Sequence, residues 1–410
     1  MAGLCTTTCL SACVKIEKKT GRVYDTVKYN FDQIVERGNT DSFKWRRYDR
    51  EVLPLWVADM DFVSPRPVIE AMHERVDHGI FGYVRAGEDL LDVIRDRLKR
   101  LYRWEVPREY IVFVPGVVTG LNLAFVLYAD SGDSILVQPP VYAHFVTDPV
   151  IRGRVVADSP LVQKGDTYEI DFDAFERTIA DRKPKIYVLC NPHNPVGRVF
   201  RKHELERLAE ICLRYNVLIC ADEIHCDLLY PGYQHIPIAT LGDEISNRTI
   251  TFMSPSKTFN LAGLKCSFAI IKNPLLREAW MKGSAGLVPH VNIMGLTAAL
   301  AAYKDGQEWL NQCLSYLADN RDFLAGYIHK KLFSLRMTKM EGTYLAWLDC
   351  RQSGIQGSPY HFFLEKAKVA LNNGAECGKG GEGFVRLNFA CPQKTLAEAL
   401  ERMASALKRL

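Results

Sequence analysis

The chain has 410 residues, 48% of them apolar and 24% charged, the proportions of a soluble globular protein with room for more than one domain. Its 52 basic and 48 acidic side chains nearly cancel, to a net charge of +4, and no dense basic block stands out, which argues against nucleic acid or an anionic membrane as a partner. No apolar run approaches the ~20 residues that cross a bilayer, and the 12 cysteines are scattered singly, as free thiols of a reducing compartment are, so a cytoplasmic location is expected.

Residues 1–20 are expected to form a flexible tail. Cys5, Cys9 and Cys13 recur every fourth residue, but without C-x-x-C spacing or a nearby histidine they predict no metal cluster. The segment is also short for a secretory signal, lacks a basic start, and has no arginine to suggest a transit peptide. Residues 15–48 mix both charges with aromatics and read as an arm packed over another surface. A short strand-like run follows at 52–62 (VLPLWVADMDF), and Ser64-Pro65 opens a helix expected at about 67–76. FGYVRAGEDL, 81–90, is a glycine-punctuated loop whose Tyr83 reads as packing, and a helix is expected over 89–102.

Residues 111–114 predict a strand, followed by Pro115, Gly116, Val117, Val118 and Thr119 and an apolar helix at 121–128. Strand, glycine turn and helix amino terminus suit an anion, because unpaired backbone N–H groups point outward there; a plain βα turn has the same pattern. A strand at 134–138 stops at PPVYAHF, where Tyr142 either covers a flat ligand or fills a turn. The run 185–190 stops at NPHNPVG (191–197), ahead of a helix at 202–215. The run 217–221 stops at DEIHCD (222–227), and 250–253 stops at SPSKTFNLAG (254–263). Strands alternating with helices predict a mainly parallel sheet, which binds ligands outside its carboxyl ends. Asn194, Asp222 and Lys257 are therefore expected to converge on one crevice.

The remainder carries helical patterns at 275–282, 296–303 and 308–333, strand-like runs at 344–348 and 384–389, and a helix at 395–410. It predicts a smaller α+β domain, with 372–383 as a glycine-rich loop leading to Arg386. The expected fold is thus α/β, with a large cofactor-binding domain over 66–295 and a small domain built from 21–65 and 296–410.

Aspartate, asparagine and lysine in one crevice suit a charged aromatic cofactor. A carboxylate keeps a ring nitrogen protonated, an amide donates to a ring hydroxyl, and a desolvated lysine amine condenses with an aldehyde. Ser254, Ser256 and Thr258 can donate to an anion. Pyridoxal 5'-phosphate calls for all of these, with an aromatic ring to stack on and a helix amino terminus for its phosphate.

These residues resemble the fold type I pyridoxal-phosphate enzymes of the aminotransferase class I/II superfamily, and within them the cystathionine β-lyase, or C–S lyase, branch of MalY/PatB type. The resemblance spans roughly residue 29 to the carboxyl end. It rests on LWVADMDF, FGY, PGVVTG, PPVY, NPHNPVGRV, ADEIHCDL, SPSKTFNLAGLK and FVRLNFA in this order. It implies an aminotransferase-like three-layer fold. It also implies that Lys257 binds the cofactor and moves the Cα proton, that Asp222 pairs with the pyridine nitrogen, and that Asn194 bonds the phenolic oxygen. Tyr142 would stack on the ring and is a candidate proton donor to sulfur. The backbone at Val117 and Val118, with Ser254 and Ser256, would hold phosphate. Tyr83 would reach the phosphate of a neighbouring subunit in a homodimer, and Arg386, with Asn194, would hold the substrate carboxylate. His225 stands where many aminotransferases have tyrosine, and Lys265 where they have a phosphate-binding arginine. The implied reaction is α,β-elimination from an S-substituted L-cysteine such as cystathionine, with an aminotransferase as the alternative.

Overall fold

The computed structural model describes residues 28–410. The expected tail at 1–20, with Cys5, Cys9 and Cys13, lies outside the described residues. Seven strands form the main sheet: β1 (Ile111–Val114), β2 (Ser134–Val137), β3 (Val155–Asp158), β4 (Ile186–Cys190), β5 (Leu218–Asp222), β6 (Thr249–Met253) and β7 (Ser267–Ile271). Their order is β1-β7-β6-β5-β4-β2-β3. β2 lies parallel to β3 and β4, β4 to β5, and β5 to β6; β7 alone reverses direction, antiparallel to both β6 and β1. Every residue of β4 to β7 is buried. Covered on both faces, these strands read as continuous apolar runs instead of alternating ones.

The helices are α1 (Arg66–His78), α2 (Glu88–Tyr102), α3 (Val117–Tyr128), α4 (Ala143–Ile151), α5 (Phe172–Arg182), α6 (Lys202–Arg214), α7 (Pro274–Ser284), α8 (Ile293–Asp305), α9 (Gln307–Lys331) and α10 (Gln393–Leu407). Alternate residues of β4 divide them into layers. Tyr187 and Leu189 pack with Phe175 and Ile179 of α5 and Leu205 and Leu208 of α6. Ile186, Val188 and Cys190 point the other way, into a core with Leu121 and Phe125 of α3, Phe145 of α4 and Trp280 of α7. The two-residue period of the strand thus makes the three layers that the sequence resemblance implies.

A second, antiparallel sheet follows: β8 (Arg336–Met337), β9 (Leu345–Asp349), β10 (Asn372–Asn373) and β11 (Phe384–Asn388), in the order β8-β9-β11-β10. Leu345, Val385 and Leu387 of this sheet share one core with Leu324 of α9 and Leu400 and Met403 of α10. The arm packs as its aromatics predict: Phe31 meets Phe62, Trp309 and Tyr316 with ring centroids 5.1, 5.7 and 5.5 Å apart.

Several local expectations change. Of residues 52–62 only Leu53–Pro54 is strand, paired with Val369–Ala370. The rest is held by side chains, Asn260 bonding to Met60 and Phe62 and Asn388 to Val57 and Asp59. The glycine-rich segment 372–383 is not one loop. It contains β10 and a tight turn where a Cβ on Gly374 would lie 2.4 Å from the carbonyl oxygens of Gly381 and Phe384, so this glycine serves close approach. Helix α3 starts four residues earlier than its apolar run suggests, because Gly116 at φ +118° turns the chain directly out of β1. One turn later, Gly120 lets α3 press on β6, where a Cβ would meet Phe252 Cε1 at 2.6 Å.

Among the described residues no helix is long and apolar enough to cross a membrane. The nine described cysteines are all buried and unpaired.

Candidate active site

The carboxyl ends of β1, β2, β4, β5 and β6 share one edge of the sheet, and the reversed β7 brings its amino end there too. That edge bounds a cavity of about 210 Å³. Lys257, Asp222, Asn194 and Tyr142 line it together with His225, Ser256 and Lys265, and Gly116, Val117 and Val118 close it at the start of α3. The convergence expected of three strand-end residues is therefore met, and extends to most of the residues that the resemblance singles out. Ser254, Arg386 and Tyr83 are not in the lining.

Lys257 is half-buried on the short helix Pro255–Thr258, which Ser254 caps by accepting from Ser256 N–H at 3.1 Å. Its Nζ donates to the Ala58 carbonyl at 2.6 Å. Desolvation dominates and pulls its pKa down to about 8; Asp59 and Asp222 oppose this, and Arg386 and Lys265 add to it. Asp222 ends β5 with one carboxylate oxygen accepting from Ile224 N–H at 3.0 Å. Its burial outweighs that bond and the field of Lys257, raising the carboxyl to about 7. A buried carboxylate so perturbed, beside a lysine with a lowered pKa, marks a site built for another charged group.

Asn194 and Arg386 are already joined: Arg386 donates to Asn194 Oδ1 at 2.9 Å, to the Trp56 carbonyl at 3.0 Å, and to Asn372 Oδ1. Arg386 is buried, 5% exposed, and its Nε has no partner among the described residues. Desolvation lowers its pKa. A guanidinium with amide and carbonyl neighbours, and an N–H left over, is poised for a carboxylate that brings its own charge.

Tyr142 stands at the N-cap of α4, and burial pushes its phenol up to about 12. His225 is buried with its Nδ1 unpartnered, and desolvation lowers the imidazole to about 3, so it is neutral at any ordinary pH. Ser256 faces the cavity, whereas Ser254 Oγ donates to the Cys266 carbonyl at 2.7 Å and thereby supports Ser256 from behind. Thr258 donates to Asp227 at 2.9 Å and is not free for an anion. Lys265 is held at φ +53° where the chain enters β7. Tyr83 is fully exposed, well away from any packing role.

Two contributors escaped the sequence reading. Ala58 acts through its carbonyl, which leaves no trace in a side-chain pattern beyond its place in LWVADMDF. Asn372 was hidden in what looked like a loop.

The chemistry of this set fits the pyridoxal phosphate expected from the sequence. There is an acid for a ring nitrogen, an amine for an aldehyde, a ring to stack, and helix N–H groups beside a serine for phosphate. Residues 50–403 match the model of the family described as aminotransferase class I and II. The chain belongs to that family. Among curated members, cystathionine beta-lyase PatB of Bacillus subtilis is 39% identical over 388 residues, covering 92% of this chain and all of that one. A cystathionine beta-lyase of Corynebacterium glutamicum is 36% identical over 377 residues, covering 92% of this chain and all of that protein. Among solved structures, cystalysin from Treponema denticola, which contains pyridoxal 5'-phosphate, superposes with a TM-score of 0.90 at 32% identity, over 93% of this chain and all of that one. Within the aminotransferase class I and II family, then, the resemblance points to the carbon–sulfur lyases.

Proposed function

We propose that this aminotransferase class I and II member is a pyridoxal-phosphate-dependent carbon–sulfur β-lyase. It cleaves cystathionine or a related S-substituted L-cysteine to a thiol, pyruvate and ammonia. The observation that carries the reading is one cavity lined by Lys257 and Asp222, both displaced from their ordinary pKa values, and by Asn194, whose Oδ1 holds Arg386 behind the wall. Relatives of nearly the same length named as cystathionine beta-lyases support the choice of reaction.

When bound, pyridoxal phosphate supplies an electron sink for the carbanion formed at the substrate Cα. The chain supplies the rest. Arg386, already bonded to Asn194, would hold the substrate by its carboxylate, and Asn194 would bond the ring oxygen. Lys257, at about 8, is neutral in a useful fraction of molecules near neutral pH and takes the Cα proton. Asp222 would pair with the ring nitrogen, whose positive charge would favour the carboxylate form. Tyr142 remains protonated and can pass its proton to the departing sulfur. The N–H groups of Val117 and Val118 with Ser256, backed by Ser254 and by Lys265, would hold the phosphate. His225 would offer its unpartnered Nδ1 to the cofactor's oxygen.

The exposed Tyr83, flanked by exposed Phe81 and Ile80, is best accounted for by a second copy of the chain covering it and borrowing its hydroxyl for phosphate, as in a homodimer. The division into residues 66–295 and a domain of 21–65 with 296–410 belongs to the same reading.

The test is incubation of the enzyme with cystathionine alone. Release of pyruvate with no added keto acid is the expected result. A strict requirement for a keto acid would replace the lyase with an aminotransferase.

A further inference from the structure

The turn through Gly342 and Thr343 carries backbone strain that its own sequence does not require. Thr343 is β-branched yet sits at φ +66°, a region that such residues avoid. Three hydrogen bonds hold it there: its N–H donates to the Leu228 carbonyl at 2.8 Å, its carbonyl accepts from the Tyr230 hydroxyl at 2.9 Å, and its Oγ1 accepts from Leu345 N–H at 3.2 Å. Gly342 completes the fit, since a Cβ there would lie 2.7 Å from the Leu228 carbonyl oxygen.

What the strained turn delivers is the next residue. Tyr344 is 1% exposed, and its hydroxyl donates to the Ala58 carbonyl at 3.0 Å, the same oxygen that accepts from Lys257. Its ring meets His225 edge-on at 6.1 Å. Asn388 fixes the segment on both sides of Ala58, donating to Val57 O at 2.5 Å and Asp59 O at 2.7 Å.

We propose that Tyr344 is a positioning residue for Lys257: its hydroxyl fixes the Ala58 carbonyl as the docking point for the lysine amine whenever that amine is not covalently engaged. The inference rests on the reading of Lys257 as the cofactor-bearing lysine. A carbonyl oxygen offers two lone pairs, and here one hydroxyl and one amine fill them. The hydroxyl draws density from an oxygen that would otherwise favour the ammonium form, and so helps keep the amine able to accept a proton. The other groups facing Lys257 are Asp59 and Asp222, which favour its charge, Arg386 and Lys265, which oppose it, and the neutral His225.

Tyr344→Phe removes one oxygen and leaves the ring against His225. In the full chain freed of cofactor, the rate of pyridoxal phosphate uptake, followed by visible absorbance, rises with pH as the amine loses its proton. The midpoint of that rise should move up by roughly half a unit to one unit in Tyr344→Phe. The acid limb of kcat, which reports the substrate-bound enzyme in which the amine is released from the cofactor, should move with it. Thr343→Gly keeps the hydroxyl while relaxing the strained residue, so its midpoint should stay with the parent. A Tyr344→Phe profile superimposed on the parent's overturns the proposal. So does a Thr343→Gly shift as large as that of Tyr344→Phe, which would place the effect in the turn and not in the hydroxyl. Uptake that survives Lys257→Ala unchanged would instead remove the assignment of Lys257, so the two failures are told apart.

Discussion

Two buried groups of charges lie side by side in this molecule and are treated in opposite ways. In the clamp formed by the arm, Arg37 pairs with Asp59 at 2.8 Å and Asp61 at 2.5 Å, and Lys44, only 1% exposed, pairs with Asp61 at 2.7 Å. Trp45 adds its indole N–H to Asp61 at 2.9 Å. Each charge there has an opposite charge within hydrogen-bond reach. In the crevice, Lys257 bonds a carbonyl, Asp222 accepts a backbone N–H, and Arg386 bonds two amides and a carbonyl. None of the three forms an ion pair within hydrogen-bond reach among the described residues, and all three have shifted pKa values. The clamp is finished without a ligand; the crevice is not. Neutralised charge stabilises the fold, and desolvated, uncompensated charge is held ready for a cofactor and an amino acid.

The sharpest way to break this contrast is at the lysine. Lys257→Ala should lower pyruvate release from cystathionine by about a thousandfold or more and abolish the visible absorbance of bound cofactor. Absorbance that persists, and that borohydride fixes on a different lysine, would move the site elsewhere. In the clamp the damage should fall on stability instead. Asp61→Ala removes the short pair of the buried Lys44 and leaves it the longer one to Asp59, at 3.6 Å, and should cost about 3–5 kcal/mol in urea unfolding. A loss below about 1 kcal/mol would show that the clamp is surface-like, and the comparison would collapse.

The third prediction carries a sign that the clamp does not share. Burial raises the Asp222 carboxyl from 3.8 to about 7 in the fold. Between those values the folded chain retains a proton that the unfolded chain has released. Its contribution to stability therefore falls as pH rises through that window, and the full penalty stands above about 7. Asp222→Asn should relieve it: the cofactor-free chain gains on the order of 1–3 kcal/mol at pH 8 and nothing at pH 4. Thermal unfolding at the two pH values checks this, and an equal gain at both would sink it. The same variant should lose lyase activity, so function and stability move in opposite directions at one residue.

What the sequence disclosed follows the same division. The fully buried strands β4, β5 and β6 were legible because both faces are covered, leaving apolar runs that stop at polar residues. Asn194, Asp222 and Lys257 could be placed together because parallel strands bring their carboxyl ends to one edge. β3 was missed because it is a short edge strand in which Ala157 alone is fully buried. β7 was missed because an antiparallel member breaks the alternation of strand and helix that carried the reading. The clamp was invisible for a different reason. Arg37 and Lys44 look like ordinary charges of a polar arm, Asp59 and Asp61 like the end of a strand-like run, and only tertiary packing makes them partners. Tyr344 escaped because nothing in a sequence announces that the threonine before it will be held at positive φ.

One small absence has reach beyond its size. Gly120 and Phe252 touch where α3 crosses β6. The amino end of α3 closes one wall of the cavity, and the chain leaving β6 reaches Lys257 five residues past Phe252. Under the proposed roles of the α3 amino terminus and Lys257, the spacing between a ligand's anionic end and its covalent end is thus tied to one missing methyl group. The enzyme's ruler is a single carbon atom that the sequence leaves out.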